Sequence, residues 1–276
     1  MPGLRRLLIA LATALCSSAL AAPAARADIT VYPDSMAATG ASATTAFNTC
    51  PTPFTSCPAN SWSTGTEAAV ESIYLRIAAV HPAILGHAYN DAIGGRKMAG
   101  LQAQVEVAAE QRAELVTVDM GSNDVCTPSE ETMTSVASFE ASFNAALRAL
   151  TTRRPSTAIA VLSIPNVHRL WRILHENAAA VRAWDEHTIC QSMLANATST
   201  ARADAARRER VLDRIVELNG VLASVCARYA HCRYDGGTTF GYAFEAGEVT
   251  TRDYFHPSIA GQATIARVAW ELPWEF

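Results

Sequence analysis

The sequence predicts an α/β fold, a three-layer α/β/α sandwich with a mostly parallel sheet. Short apolar segments rich in β-branched residues alternate along the chain with longer segments of helical periodicity. The apolar segments end in Gly, Pro, Asn or Asp, as strands do where they enter turns. Neither an internal repeat nor a boundary between domains is visible, so we expect one domain over residues 28–276.

The first 27 residues have the composition of a secretory signal peptide. Arg5 and Arg6 supply positive charge, residues 7–21 are apolar, and Ala25 and Ala27 form an A-x-A cleavage site. The apolar segment is too short and too rich in alanine to favour spanning a membrane. We therefore expect residues 28–276 to be secreted as the mature chain, without stable insertion into a membrane.

The composition of the mature chain disfavours one class of partner. Removal of the signal peptide also removes three arginines, so 19 basic residues face 26 acidic ones. This excess of acidic residues argues against a nucleic-acid partner. Half of the full sequence is hydrophobic and 17% is charged, which suits a globular chain with a sizeable core. We expect a monomer.

The cysteines predict disulfides, because an even number remains in an exported chain once Cys16 has left with the signal peptide. Six cysteines allow several pairings. The short separations favour two pairs and leave a third: Cys50–Cys57, Cys226–Cys232 and Cys126–Cys190. A zinc site is the competing interpretation, but no Cys-x-x-Cys pair is present.

Five segments are predicted as strands. The first covers residues 29–33 and ends at Pro33, so that Ser35 would lie in a turn that opens a helix. The second leads into Gly95, and the third, which is the clearest buried strand, leads into Asn123. The second to fifth strands are predicted over residues 83–92, 114–120, 157–164 and 231–235.

The helices are predicted from the spacing of apolar residues. The strongest pattern has apolar residues three or four positions apart, at Val136, Phe139, Phe143, Leu147 and Leu150. Further helices are predicted over residues 67–80, 97–111 and 211–225, and from Ser258 onward. Residues 41–65 are predicted to form an irregular loop, and the pattern of residues 166–206 assigns them to no single element.

The ends of the predicted strands carry residues that suit nucleophilic attack on an ester. Ser35 would be the nucleophile, His256 its base, and Asp253 the group that orients the base. The backbone N–H groups of Ser35 and Gly95 and the side-chain amide of Asn123 would stabilise the oxyanion. Because the carboxyl ends of parallel strands meet at one edge of a sheet, these segments can converge there. The alternative for Ser35 is an ordinary helix cap.

These segments, in this order over nearly the whole mature chain, resemble the motifs of the SGNH (GDSL-type) hydrolases. The segment LVTVDMGSNDVC is most similar to secreted bacterial lipases and phospholipase-B-like members. The resemblance implies a flavodoxin-like sheet and a Ser-His-Asp site that cleaves acyl esters of lipids with neither metal nor cofactor. It places the nucleophile at Ser35, the oxyanion donors at Ser35, Gly95 and Asn123, and the acid and base at Asp253 and His256.

The chain departs from the family pattern in the first motif, where Pro33 replaces the glycine before Asp-Ser. Proline fixes φ and has no N–H, so the turn at the serine would be altered. Pro33 motivates one alternative, a secreted binding protein that kept the fold and lost catalysis. A carbohydrate acetylesterase is a second alternative, because the same constellation would serve it equally well.

The expected partner is a small-molecule or lipid ester. Asp119 and Asp124 are isolated carboxylates and make a poor metal site. Among the histidines other than His256, His168 near the end of a strand is the candidate for a substrate contact.

Overall fold

The computed structural model describes residues 32–272. The predicted signal peptide, Cys16 and residues 29–31 of the first predicted strand lie outside these residues. Five parallel strands form one sheet in the order β2-β1-β3-β4-β5. They are β1 (Met36–Gly40), β2 (Ala88–Asn90), β3 (Leu115–Asp119), β4 (Ala158–Val161) and β5 (Cys232–Tyr234). This is the flavodoxin-like strand order, so the predicted fold class is confirmed.

Ten α-helices connect and cover the strands in residues 32–272. The longer ones are α1 (Ile73–Val80), α2 (Leu101–Glu110), α4 (Val136–Arg153), α5 (Val167–Leu174), α6 (Ala178–Glu186), α8 (Arg202–Cys226) and α10 (Ile259–Trp270). Three single-turn helices are α3 (Ser122–Val125), α7 (Gln191–Leu194) and α9 (Thr238–Gly241). Residues 166–206, which the sequence pattern left unassigned, contain α5, α6, α7 and the start of α8.

Side chains alternate between the two faces of the sheet, and each face has its own apolar cluster. In β3, Val116 and Val118 pack with residues of α2, α4 and α8, whereas Leu115 packs with residues of α1 and α10. In β1, Ala37 belongs to the first cluster and Met36 to the second. Helices therefore cover both faces, and the carboxyl ends of the strands remain at one edge.

The first strand differs from the prediction. Tyr32 and Pro33 belong to no strand, and β1 instead runs from Met36 to Gly40 with the sequence MAATG. It lies between β2 and β3, and Ala37 and Ala38 are fully buried. Small side chains suit a central strand with helices packed on both faces, so this context overrides the greater β-propensity of residues 29–32.

The remaining predicted strands and helices are found with shifted ends. Helix α1 begins six residues after the predicted start because the hydroxyl of Ser72 caps it, accepting a hydrogen bond of 3.1 Å from the N–H of Leu75. Helix α4 contains the whole predicted apolar stripe. Helix α10 begins directly after Ser258, whose hydroxyl accepts from the N–H of Gly261.

The cysteines pair as predicted. The disulfides are Cys50–Cys57, Cys126–Cys190 and Cys226–Cys232. The second joins the end of α3 to the start of α7, and the two cysteines have a sequence separation of 64. Among the helices of residues 32–272, none combines the length and the apolar composition that crossing a membrane requires.

Candidate active site

Ser42 lies two residues beyond the carboxyl end of β1 and contacts the predicted base. The Oγ of Ser42 lies 2.8 Å from Nε2 of His256, and Nδ1 of His256 lies 2.8 Å from Oδ2 of Asp253. Because a carboxylate can only accept, we assign the imidazole proton to Nδ1, which donates to Asp253. Nε2 then accepts from the hydroxyl of Ser42, which is the geometry of a nucleophile beside its general base.

Glycine at position 40 makes this turn possible. Gly40 has φ +154°, and a Cβ there would lie 2.5 Å from Oγ1 of Thr44 and 2.6 Å from the carbonyl oxygen of Asp119. No side chain fits at either distance. The chain can therefore leave β1 close against the end of β3 and turn Ser42 toward His256.

Asp253 is held as an acceptor for His256. Its Oδ1 accepts from the backbone N–H groups of Phe255 at 2.9 Å and His256 at 3.0 Å. Its Oδ2 accepts from Nδ1 of His256 and from Nδ2 of Asn48. Burial alone would raise the pKa of Asp253, but the hydrogen bonds and the charge of His256 lower this pKa overall. The carboxylate is thus ionised at neutral pH.

Two aromatic rings enclose the imidazole of His256. The ring centroid of Phe47 lies 4.9 Å from that of His256. The ring centroid of Phe255, the residue before His256, lies 5.1 Å from it. Just before α10 begins, Pro257 forms an isolated antiparallel bridge with Val249, which anchors the loop that carries His256. These contacts fix the ring plane, so that both imidazole nitrogens meet their partners.

The structure contradicts the predicted position of Ser35. Ser35 precedes β1, so it lies at the amino end of the strand, roughly 20 Å from Ser42 at about 3.3 Å per residue. Its Oγ donates to the carbonyl of Arg112 and accepts from the N–H of Glu114, both at 3.2 Å. The error follows from the wrong first strand, which placed the carboxyl end of β1 seven residues too early. The hydroxyl that meets His256 belongs to Ser42.

The first motif must therefore be read at Gly40-Ala41-Ser42. The glycine of the family pattern is present at Gly40, and Ala41 replaces the aspartate before the serine. Pro33 precedes β1, at the opposite end of the strand from Ser42, so it does not belong to the turn that carries Ser42. A glycine two residues before a serine, after a run of small apolar residues, was the signal that could have identified Ser42.

Of the predicted oxyanion donors, Gly95 and Asn123 lie beside Ser42, whereas the N–H of Ser35 lies at the other end of β1, so the N–H of Ser42 becomes the candidate in its place. Asn123 lies in the first turn of α3 and borders the same cavity as Ser42, and its Nδ2 donates to the carbonyl of Arg96 at 3.1 Å. A Cβ on Gly94 would lie 3.9 Å from the Cβ of Ser42, so the Gly94-Gly95 turn passes next to the serine. Within residues 32–272, the N–H groups of Ser42 and Gly95 have no hydrogen-bond acceptor.

Gly121 sets the start of α3 and hence the position of Asn123. Its φ is +125°, and a Cβ there would lie 2.4 Å from Cδ1 of Ile164. Only glycine fits this approach of the β3 loop to the β4 loop. Steric contact with Ile164 thus explains why the Gly-x-Asn part of the predicted third motif has glycine at position 121.

An apolar cavity of about 120 Å³ opens beside Ser42, Asn123 and His256. It runs along the carboxyl ends of β1, β3 and β4 and under helix α5. Its apolar walls come from Leu162, Val167, Leu170, Ile173, Phe244 and Ile265. Arg169 also borders it, with its guanidinium donating to the carbonyls of Phe244 at 2.8 Å and Ala243 at 3.2 Å. The cavity therefore suits an apolar group attached to the atom that Ser42 would attack.

Polar side chains also border this cavity, among them Asp119 and Thr239. Burial raises the pKa of Asp119 to about 6, helped by the charge of Asp235 and opposed by hydrogen bonds from Thr44 and Trp62. The hydroxyl of Thr239 is buried without a hydrogen-bond partner in residues 32–272. Asp119 is therefore a candidate for titration near neutral pH inside the site.

His168 is not among the residues that border the cavity. Its ring stacks on Trp171, with 5.2 Å between centroids. Burial lowers its pKa, the charge of Glu209 opposes this, and Arg172 and Arg208 lower it further. Within residues 32–272, no group of three or more His, Cys, Asp and Glu side chains is placed to hold a metal ion.

Comparisons with known proteins identify the family. The family model described as GDSL-like Lipase/Acylhydrolase matches residues 34–269. The extracellular lipase of Streptomyces rimosus is similar in structure, with a TM-score of 0.51 and 15% identity, over 85% of this chain and 97% of that one. A putative GDSL-like lipase from Parabacteroides merdae, also 15% identical, gives a TM-score of 0.44 over 88% of this chain and 97% of that one.

No curated protein sequence matches the chain. The likeness to the Streptomyces rimosus lipase supports the fold, and the match of the family model spans nearly all of the described residues. The chain therefore belongs to the GDSL-like lipase/acylhydrolase family of ester hydrolases.

Proposed function

We propose that this chain is a secreted serine hydrolase of carboxylic acyl esters, with Ser42 as the nucleophile. The observation that carries the proposal is the continuous chain of hydrogen bonds from Ser42 through His256 to Asp253. In this chain of hydrogen bonds, Asp253 accepts from Nδ1 of His256. Nε2 of His256 can therefore accept the hydroxyl proton of Ser42.

The reaction would proceed in two halves. The Oγ of Ser42 attacks the ester carbonyl carbon while Nε2 of His256 takes its proton, and the carbonyl oxygen becomes an oxyanion. The N–H groups of Ser42 and Gly95 and the amide of Asn123 would stabilise that oxyanion. When the tetrahedral intermediate collapses, His256 gives the proton to the leaving alcohol. Water, deprotonated by His256, then attacks the acyl carbon. As the second tetrahedral intermediate collapses, His256 returns the proton to Oγ of Ser42 and the acid is released.

The walls of the cavity support an apolar acyl group over an acetylated sugar. Its side chains are mainly aliphatic or aromatic, and a fatty acyl chain would gain about 25 cal/mol for each Å² of apolar surface that it buries there. A lipid or phospholipid ester fits this chemistry. A sugar acetate would place some of its hydroxyl groups against these apolar side chains, where they have no hydrogen-bond partner, although Asp119, Arg169 and Thr239 border the same cavity.

Secretion of residues 28–276 as one domain is part of the proposal. Residues 1–27 have the pattern of a signal peptide, and three disulfides are typical of proteins that fold in an oxidising compartment. The Streptomyces rimosus protein with a similar fold is described as extracellular.

The deciding experiment compares Ser42→Ala with Ser35→Ala in the mature protein. We expect Ser42→Ala to lower kcat on p-nitrophenyl esters at least about a thousandfold and to abolish labelling by a fluorophosphonate. Ser35→Ala is the matched control and should keep both. Labelling that persists in Ser42→Ala, or that is lost only in Ser35→Ala, would refute the assignment of Ser42.

The same assay separates the substrate classes. Acetate, butyrate, octanoate and palmitate esters are compared, together with a phosphatidylcholine and an acetylated xylan. Faster hydrolysis of octanoate or palmitate than of acetate supports the acyl pocket. Turnover confined to acetate and acetylated xylan would instead support a carbohydrate acetylesterase.

A further inference from the structure

We infer that Asn48 is a positioning residue, which acts through Asp253 to set the orientation and basicity of His256. This inference rests on the proposed function of the Ser42–His256–Asp253 site. Nδ2 of Asn48 donates to Oδ2 of Asp253, the same oxygen that accepts from Nδ1 of His256. Asn48 does not border the cavity beside Ser42, so its route to the reaction is through the carboxylate.

Burial and hydrogen bonds hold the side-chain amide of Asn48 in one orientation. It has φ +67° and is 2% exposed. Its Oδ1 accepts from the N–H of Phe54 at 2.6 Å, and its own N–H donates to the carbonyl of Thr55 at 2.9 Å. Since Oδ1 is taken by a donor, Nδ2 must be the atom that faces Asp253.

Asn48 lies two residues before the loop that the Cys50–Cys57 disulfide closes, and its hydrogen bonds with Phe54 and Thr55 tie it to that loop. Within this loop, the N–H of Cys57 donates to the carbonyl of Thr45 at 2.9 Å, so the loop is tied to the segment that follows Ser42. On its other side, the loop contacts Arg252, which is next to Asp253 in the chain. The guanidinium of Arg252 donates to the carbonyl of Pro51 at 3.0 Å. The disulfide loop thus joins the segment after Ser42 to the segment of Asp253 and His256, and it holds Asn48, whose amide contacts the carboxylate of Asp253.

A neutral donor on Oδ2 has two effects. It keeps Oδ2 in line with Nδ1 of His256, and it withdraws negative charge from the oxygen that stabilises the protonated imidazole. Without this donor, Asp253 would attract the imidazole proton more strongly and would be freer to rotate. The titration of His256 would then move to higher pH, and fewer molecules would hold Nε2 toward Ser42.

Asn48→Gly removes the amide without straining the backbone, because glycine adopts a left-handed φ freely. Asn196→Gly is the matched control: Asn196 also has a left-handed φ, of +50°, and its Nδ2 also donates to a carboxylate, that of Asp204, on the exposed surface. We expect Asn48→Gly to lower kcat roughly ten- to hundredfold, with KM changed less than about twofold. The acid limb of the kcat/KM profile should move to higher pH by roughly half a unit or more, and Asn196→Gly should leave both unchanged.

A second readout does not depend on turnover. In the Ser42→Ala background, the ¹H chemical shift of the His256 ring is followed against pH with and without Asn48→Gly, with the signal assigned by its loss in His256→Gln. The midpoint should move to higher pH when the amide is removed. If the wild type hydrolyses no ester but the titration midpoint of His256 still moves, the proposed function fails while the coupling of Asn48 to His256 stands.

Folding is checked by circular dichroism, and Asn48→Ser carries the test if Asn48→Gly does not fold. Its shorter side chain lacks the Nδ2 donor to Asp253, so the same change in titration is expected. A folded Asn48→Gly or Asn48→Ser whose kcat and His256 titration match those of the wild type would overturn the inference. A shift of equal size in Asn196→Gly would overturn it as well.

Discussion

Asp119 carries a charge that the fold holds at a cost. Its pKa is raised to about 6, chiefly by burial, so between pH 4 and 6 the folded chain binds this proton more tightly than the unfolded chain does. The contribution of Asp119 to stability is therefore largest at low pH and is lost as the pH rises through about 6. Above that pH, the buried carboxylate lowers the free energy of unfolding.

Asp119→Asn tests this at the scale of one residue. The amide has the same shape and no charge, so we expect it to raise the free energy of unfolding by about 1–3 kcal/mol at pH 8, with little gain at pH 4. Urea unfolding at both pH values measures the difference. Asp213→Asn, on the exposed face of α8, is the control and should change stability equally little at both. A gain for Asp119→Asn that is the same at pH 4 and pH 8 would contradict the assignment.

Short motifs made some site residues predictable from the sequence. Asp253 and His256 lie three positions apart in one loop, and Asn123 follows a clearly apolar strand, so their relation needed little tertiary information. Ser42 was missed because it follows a strand of small residues that has weak β-propensity. Asn48 could not be predicted, since it meets Asp253 across 205 residues and only folding brings them together.

At the scale of elements, position in the sheet decides which segments become strands. β3 has β-branched residues and a central position, so propensity and context agree there. In β1, the side chains are small and the strand forms because both of its edges pair and both of its faces are covered. Helix α4, of 18 residues, was predicted well because its apolar stripe is periodic from Val136 to Leu150.

The disulfides should differ in how much they stabilise these elements. In the chain-entropy model, a longer closed loop gives a larger gain: about 4 kcal/mol for the separation of 64 residues between Cys126 and Cys190, against about 2 kcal/mol for the six between Cys226 and Cys232. We expect the double variant Cys126→Ala/Cys190→Ala to lose more stability than Cys226→Ala/Cys232→Ala. Guanidinium unfolding measures both, and equal or reversed losses would contradict the entropic ranking.

The whole molecule is needed to form the cavity beside Ser42. Its walls come from the ends of β1, β3 and β4, from α5, and from the segment between α9 and α10. These segments are far apart in the sequence, and α5 lies in the region whose pattern was ambiguous. The alternation of strands and helices therefore predicted the mostly parallel sheet, and the family resemblance implied its flavodoxin-like form, whereas the shape that would select a substrate depends on packing between elements.

Helix α5 offers a way to change that shape without touching the polar groups. Leu170 lies in the wall of the cavity, and Leu170→Trp would fill part of its volume of about 120 Å³. We expect kcat/KM for octanoate and palmitate esters to fall about tenfold or more, because the acyl chain loses apolar contacts and meets the indole ring. Acetate ester hydrolysis and fluorophosphonate labelling should change less than about threefold, since neither needs the blocked region.

Val216→Trp is the matched control for this change. Val216 lies on α8 with 52% of its surface exposed, so the same ring added there meets solvent instead of the cavity. Its acyl-chain profile should equal that of the wild type. If Leu170→Trp lowers acetate and palmitate hydrolysis equally while the protein stays folded, the ring has disturbed Ser42 or His256, and the cavity is not the acyl site. If Leu170→Trp alters neither acetate nor palmitate hydrolysis, the acyl chain lies elsewhere on the surface. Only a loss confined to long-chain esters would assign the acyl chain to the space that α5 covers.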